Sequence, residues 1–308
     1  MNETVSIEQF GKYKLLRKIG AGGMAEVFLA ISNDTEASTP IVVKRLHDEL
    51  ERDRDAVDLF LTEADVTIML RHPNIIRVYD SGEAEGRYYI AMEYIQGRDL
   101  ERISNRLAEK GINIAPDAAV HIMAHVLRGL EYVHQAVTPN GRPLGIVHRD
   151  VTPSNIFISA EGEVKLGDFG VAKLIAIEGW TIQGSIKGKL GYLSPEQIRG
   201  QLPNQSIDLW STAVILFELL TGERLFTGDN ELQVMLRIRD AKIPALRKRR
   251  RDAPKPLEKI LKRALHRKER KRFATAADFV NELDKYINKY GHNYTPKELI
   301  SYLSSILA

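Results

Sequence analysis

Hydrophobic and polar positions change their spacing along the chain. Up to about residue 94, short β-branched runs alternate with polar turns, and 14–19, 27–31, 41–44, 75–79 and 88–94 are predicted as strands. Within that stretch, 54–70 places Val57, Phe60, Leu61, Ala64 and Ile68 at helical spacing and predicts a single helix. Beyond residue 97 the helical period dominates. A short helix is expected over 99–107, and a long one over 115–134 with Val120, Met123, Ala124, Leu127 and Leu130 as its apolar stripe. The turn-rich 138–143 ends it. Short strands are expected around Ile146, at 156–158 and at 164–166, and helices from Pro195 to the end. No internal repeat or low-complexity tract occurs. The pattern implies an α+β protein with an extension over 1–11, a β-rich segment over 12–94, an α-rich segment over 95–290 and an amphipathic helix over 291–308.

Composition narrows the chemistry. The 308 residues include no cysteine, which excludes disulfides, thiolate metal sites and cysteine nucleophiles. The first ten residues are polar and mixed, unlike a secretory signal. The best apolar run, 213–217, is stopped by Glu218, well short of the roughly 18 residues a membrane helix requires. A cytoplasmic location is the expectation. The net charge of +3 hides an asymmetry, since 241–272 alone holds 15 Lys and Arg against 3 acids. Within it, Arg247, Lys248, Arg249, Arg250 and Arg251 form a run without interleaved aromatics. A docking surface for an acidic protein suits such a run better than nucleic acid does.

Three local patterns carry candidate chemistry. Gly20-Ala21-Gly22-Gly23-Met24-Ala25-Glu26-Val27 lies between two predicted strands. Small residues there let a backbone turn approach a phosphate, and a tight hairpin would select them too. A strand rather than a helix follows, and no Gly-Lys-Ser/Thr is present, which disfavours a dinucleotide fold and a P-loop. Lys44 ends the apolar run Ile41-Val42-Val43. It either snorkels from an edge strand or needs an acid partner, for which Glu63 is the candidate. His148-Arg149-Asp150-Val151-Thr152-Pro153-Ser154-Asn155 is followed by Asp168-Phe169-Gly170. Two acids and an Asn so placed can position a hydroxyl and hold a hard, oxygen-seeking cation.

In this order, and with Ser194-Pro195-Glu196 and Asp208-Leu209-Trp210-Ser211 downstream, these motifs resemble the eukaryotic-like Ser/Thr protein kinases of bacteria over about 12–290. The resemblance implies a bilobal kinase-like fold and γ-phosphoryl transfer from ATP with Mg²⁺ or Mn²⁺ to protein Ser/Thr hydroxyls. It implies ATP contacts from Ile19, Gly20, Ala21, Gly22, Gly23, Met24, Ala25, Val27, Val42 and Lys44, and from Met92, Glu93, Ile95, Asp99 and Phe157. Glu63 would hold Lys44. Asp150 would accept the substrate proton, and Asn155 and Asp168 would hold metal. His148 and Phe169 would be core residues, and Glu196 would pair with Arg272. Thr181 and Ser185 would be phosphorylation sites read by Arg149.

The sequence departs from the family at several points. Ala25 stands for a glycine, Ala213 for another, and Val42 and Phe157 are bulky for an adenine slot. The family's lysine two residues after the catalytic Asp is Thr152 here, and its threonine near the activation segment's end is Lys189. Lys189 is therefore a candidate to supply the charge that Thr152 lacks. The rival reading is a pseudokinase that binds partners through the same fold, and a degraded site would lack one of Lys44, Glu63, Asp150, Asn155 or Asp168. A small-molecule phosphotransferase is disfavoured by Ser194-Pro195-Glu196, and tyrosine specificity by the catalytic-loop sequence. His121 and His125, four apart on a helix, lack an apparent third metal ligand.

Overall fold

The computed structural model describes residues 7–33, 39–138, 140–169 and 189–308. They fall into two compact units, one holding the described residues up to Ile95 together with Phe169, and the other those of Gln96–Asp168 and from Lys189 onward. Thr181 and Ser185 lie outside the described residues.

The first unit is an antiparallel sheet with one helix. Its strands are β1 (Glu8–Phe10), β2 (Tyr13–Ala21), β3 (Ala25–Ser32), β4 (Pro40–Leu46), β5 (Val78–Ala84) and β6 (Arg87–Glu93), in the spatial order β1-β2-β3-β4-β6-β5. Alternation along a strand sorts β4 into two faces. Ile41 and Val43 join Phe10, Tyr13, Leu15, Phe28 and Tyr89 in one apolar cluster. Leu46, on the other face with Val42 and Lys44, packs with Ala25 and Ile90 against Val57, Phe60 and Ala64 of α1 (Arg54–Ile68). The Asp53 carboxylate starts α1 by accepting the N–H groups of Asp55 and Ala56.

β5 begins three residues later than Ile75 and runs through Asp80, Ser81, Gly82 and Glu83. It pairs only with β6, so it is an edge strand and tolerates polar residues. Ile75 and Ile76 are buried just after the turn at 73–74, with Ile75 in a single β-bridge rather than a strand. Their apolar character reports burial, not strand.

The second unit is mainly helical, with α2 (Leu100–Glu109), α3 (Pro116–His134), α4 (Ser206–Thr221), α5 (Glu231–Asp240), α6 (Lys255–Ala264), α7 (Ala276–Tyr290) and α8 (Pro296–Leu307). A small sheet of β7 (Gly97–Asp99), β8 (Ile156–Ser159) and β9 (Val164–Leu166) completes it. A Cβ on Gly97 would stand 2.0 Å from the Ile158 carbonyl oxygen, so the close approach of β7 to β8 requires glycine. α3 packs against both α4 and α7. Every residue of α4 except Glu218 is buried, which marks it as the central helix, with Ala213 and Trp210 fully enclosed.

No strand forms at Ile146. The backbone there is irregular, because its amides just downstream are claimed by a side chain of α4 rather than by a neighbouring strand. The terminal helix α8 is capped by a reciprocal Thr295–Glu298 box. It buries Leu299 and Leu303, and the Tyr302 hydroxyl accepts the Ala115 N–H at 2.6 Å.

Candidate active site

In the first unit, the turn between β2 and β3 is closed by the Gly22 N–H on the Ala25 carbonyl at 2.8 Å. A Cβ on Gly20 would meet nothing nearer than Val27 Cβ at 3.9 Å, and one on Gly22 nothing nearer than 3.9 Å. Neither glycine, nor Gly23, has positive φ. The hairpin itself therefore does not demand glycine here, and the smooth backbone is left for something that approaches it. Ala25 is buried in the core beneath α1, and Met24 packs against the same cluster. Their side chains thus brace the turn. His47, which the sequence reading passed over, braces it as well: its N–H donates to the Met24 carbonyl, and its Nε2 lies 2.9 Å from the Gly22 carbonyl.

Lys44 is not a snorkelling edge residue. Its Nζ donates to Glu63 Oε1 at 2.8 Å, and the two side chains are only 17% and 10% exposed. At such burial, removing one partner strands the other charge in a poorly solvated place. Val42 occupies the same face of β4 and pairs with Met92 across to β6. The Glu93 N–H donates to the Arg77 carbonyl, and its carboxylate accepts the Arg77 N–H.

In the second unit, α4 builds the loop that carries Asp150. Asp208 is 1% exposed and accepts three hydrogen bonds, from the N–H groups of His148 and Arg149 and from His134 Nε2, each at 2.8 Å. That grip holds Arg149 at φ 67°, a left-handed backbone that non-glycine residues rarely adopt. His148 is fully buried. Its Nδ1 accepts the Asp150 N–H at 3.2 Å, which leaves Nε2–H to donate to the Gly167 carbonyl at 3.1 Å. Burial lowers its pKa, so it stays neutral and acts as a spacer.

Asn155 ties the functional groups together. Its Nδ2 donates to the Asp150 carbonyl at 2.9 Å, to Asp150 Oδ2 at 3.1 Å and to the Asp168 carbonyl at 3.4 Å. With its nitrogen committed, its Oδ1 is the amide atom suited to a cation. Asp168, at φ 52°, is a second left-handed residue in the same place. An amide oxygen beside one carboxylate fits Mg²⁺, which keeps several waters and completes its shell with phosphate oxygens.

Lys189 Nζ donates to Asp150 Oδ2 at 2.7 Å. Thr152 is buried, and its hydroxyl lies 3.0 Å from Ser154 Oγ. The arrangement of Glu196 with Arg272 is bidentate, at 2.6 and 2.9 Å, and the guanidinium also stacks 4.5 Å from the Trp210 ring centre. Asp99 caps α2, accepting the Arg102 N–H at 2.8 Å, and Phe157 lies on β8 opposite it. Arg149 Nε and Nη1 are buried with no hydrogen-bond partner among the described residues.

The basic run 247–251 is not a uniform free surface. Arg250 Nη1 donates to the carbonyls of Ile114 and Leu220 at 2.7 and 3.0 Å, and Arg249 pairs with Glu223. Arg247, Lys248 and Arg251 remain exposed. His121 and His125 lie 4.5 Å apart between ring centres, and with Arg128, Asp284 and Tyr294 they line a cavity of about 520 Å³. Burial and the nearby Arg128 push the His121 pKa down to about 4. No helix among the described residues is long and apolar enough to cross a membrane.

The protein kinase domain family model matches residues 13–283. The chain is 35% identical over 285 residues to the tyrosine-protein kinase MasK of Myxococcus xanthus, covering 92% of this chain and 44% of that protein. It is 34% identical over 268 residues to the serine/threonine-protein kinase PrkC of Bacillus subtilis, covering 87% and 39%. It is 35% identical over 294 residues to the serine/threonine-protein kinase PknB of Mycobacterium tuberculosis, covering 93% and 44%. The chain thus spans less than half the length of these relatives. Among solved structures, the PknI kinase domain of M. tuberculosis superposes with a TM-score of 0.68 at 25% identity, covering 93% of this chain and all of that one. With its motifs, its fold and these likenesses in agreement, the chain belongs to the protein kinase family.

Proposed function

We propose that this chain is the catalytic domain of a protein serine/threonine kinase that transfers the γ-phosphoryl group of ATP to protein hydroxyls. The observation that carries the reading is the hydrogen-bonded set Asp150, Asn155 and Asp168, with Asn155 Nδ2 touching both neighbours. The Asp150 carboxylate is the group to receive the proton from the hydroxyl oxygen of the substrate. Asp168 and Asn155 Oδ1 would hold the divalent cation, Mg²⁺ or Mn²⁺, which supplies charge neutralisation on the phosphates when bound. Lys44, held by Glu63, would bind the α- and β-phosphates beneath the 20–27 turn. Val42, Met92, Glu93, Ile95 and Phe157 would frame adenine, and Asp99 the ribose.

Autophosphorylation at Ser185, and at Thr181, follows from the same reading. The buried, unpartnered nitrogens of Arg149 supply the kind of group that orders a phosphorylated segment. The exposed Arg247, Lys248 and Arg251 would serve acidic protein partners, and ATP use places the domain in the cytoplasm.

The test is transfer of labelled γ-phosphate to generic protein substrates and to the chain itself. Asp150→Asn and Asp168→Asn are expected to lose at least about 10²-fold in turnover, the usual scale for removing a positioned base or metal ligand. Incorporation equal to wild type in both variants would refute catalysis by this site, and no transfer by wild type itself would leave a binding module of the same fold. A second acceptor class, tyrosine, is favoured by the likeness to the tyrosine-protein kinase MasK. Phosphoamino-acid analysis of the labelled products separates the two, and mass spectrometry after incubation with Mg-ATP locates sites at Ser185 and Thr181.

A further inference from the structure

We propose that Lys189 is the positioning residue for the candidate base, so that the cation serving Asp150 comes from the far end of the 169–196 segment rather than from the loop that carries Asp150. This rests on the kinase reading above and deepens it.

Four features support the assignment. The ammonium of Lys189 stands 2.7 Å from Asp150 Oδ2, the same oxygen that Asn155 Nδ2 holds at 3.1 Å. Two donors on one oxygen fix both the position and the rotation of the carboxylate. The Lys189 backbone is itself anchored. Its carbonyl accepts the Tyr192 N–H at 3.1 Å, the Tyr192 carbonyl accepts from Ser211 Oγ at 2.8 Å, and the Tyr192 hydroxyl donates to Glu218 at 3.0 Å. Leu190 and Tyr192 are buried between these contacts. Lys189 is therefore tied to α4, the helix that also holds the Asp150 loop through Asp208. The fourth feature is Thr152, two residues after Asp150, which is buried, uncharged and turned toward Ser154.

The ammonium orients the Asp150 carboxylate, and misplacement by about 1 Å at such a site costs on the order of 10²-fold in rate. Because Lys189 acts through Asp150, its removal should change turnover and leave ATP binding alone. A Lys189 with only a surface role would change neither.

The experiment measures kcat and KM for ATP in peptide phosphorylation for wild type, Lys189→Ala, Lys189→Arg, Lys189→Thr and the double variant Thr152→Lys/Lys189→Thr. Thermal melting of each checks that it is folded. Lys189→Ala is expected to lose about 10²-fold or more in kcat, as for other misplaced catalytic groups, with KM for ATP within about 3-fold. Lys189→Arg should retain more activity than Lys189→Ala. The double variant should regain at least about 10-fold over Lys189→Thr, since the charge is returned from the other side of the same carboxylate. Wild-type kcat in Lys189→Ala, a change confined to KM for ATP, or a double variant no better than Lys189→Thr would overturn the assignment. A rise in kcat in Lys189→Ala would overturn it too, because the contact would then be inhibitory. Failure of the kinase reading is distinct: wild type itself would then show no transfer dependent on Asp150.

Discussion

At the scale of single residues, the second unit is organised by buried acids that accept from backbone. Asp208 is the clearest case. No position in its helix is polar for solubility, and its carboxylate is spent on the amides of His148 and Arg149 and on His134. An amide side chain there would turn one acceptor into a donor facing N–H groups. Asp208→Asn should therefore cost about 2–4 kcal/mol, more than one ordinary hydrogen bond, because buried donors are left unpaired. Urea denaturation followed by circular dichroism measures it. The same variant should lower kcat while KM for ATP holds, since the left-handed Arg149 that places Asp150 loses its support. The sequence marked Asp208 through its motif, but not its partners, which are main-chain groups.

At the scale of elements, the amphipathic pattern placed most helices, and the errors came where burial and hydrogen bonding diverge. Ile75, Ile76 and Ile146 are apolar without being strand, and Asp80–Glu83 is strand without being apolar. A sheet edge asks for backbone pairing on one side only, so side-chain hydrophobicity does not report it. The terminal helix α8 was legible from its cap and its stripe. Its docking depends on a position the pattern does not show. Gly162 has φ +87°, and a Cβ there would fall 1.9 Å from the Pro296 carbonyl oxygen. Gly162→Ala must displace the start of α8 or strain the β8–β9 turn. A loss of about 2 kcal/mol or more is expected, beyond the roughly 1 kcal/mol of a helix cap. Thr295→Ala should cost only that smaller amount, and the two are compared by thermal unfolding.

At the scale of the whole molecule, the partly buried Glu218 and the buried His121 bias the response of the second unit to pH in opposite senses. Burial pushes the Glu218 carboxyl up to about 8, although its Oε1 accepts the Leu225 N–H. Between its ordinary value of 4.5 and about 8 the folded state holds a proton that the unfolded chain has lost. Stability from this group is full below 4.5 and falls as pH rises to 8, by at most about 1.4 kcal/mol per unit. His121 acts in the opposite sense. Between about 4 and its ordinary 6.5 the unfolded chain binds a proton that the folded state refuses, so its contribution falls as pH drops through that window. The two slopes oppose each other from 4.5 to 6.5, and of this pair Glu218 alone acts from 6.5 to 8. Glu218→Gln should flatten the decline above pH 6.5, as read from urea midpoints at several pH values. An unchanged slope would mean that Arg224, 3.3 Å away, keeps Glu218 ionised throughout.

The basic segment shows the same division of labour. Its charge is visible in the letters, and so is the expectation of a docking surface. The structure spends Arg272 on Glu196, Arg249 on Glu223 and Arg250 on two carbonyl oxygens, which leaves a smaller exposed set. By itself the sequence determined the class of fold, the order of the chemistry-bearing motifs and the pairing partners that family resemblance implies. Those rest on residue types and on spacings of a few positions, which a linear string carries. Only the tertiary structure decided the left-handed backbone at Arg149 and Asp168, the bracing of the glycine turn by His47 and the anchoring of Lys189 to α4. The physical reason is that these depend on main-chain N–H and C=O groups far along the chain. Every residue presents a carbonyl, so nothing in the sequence marks which one a buried side chain will find.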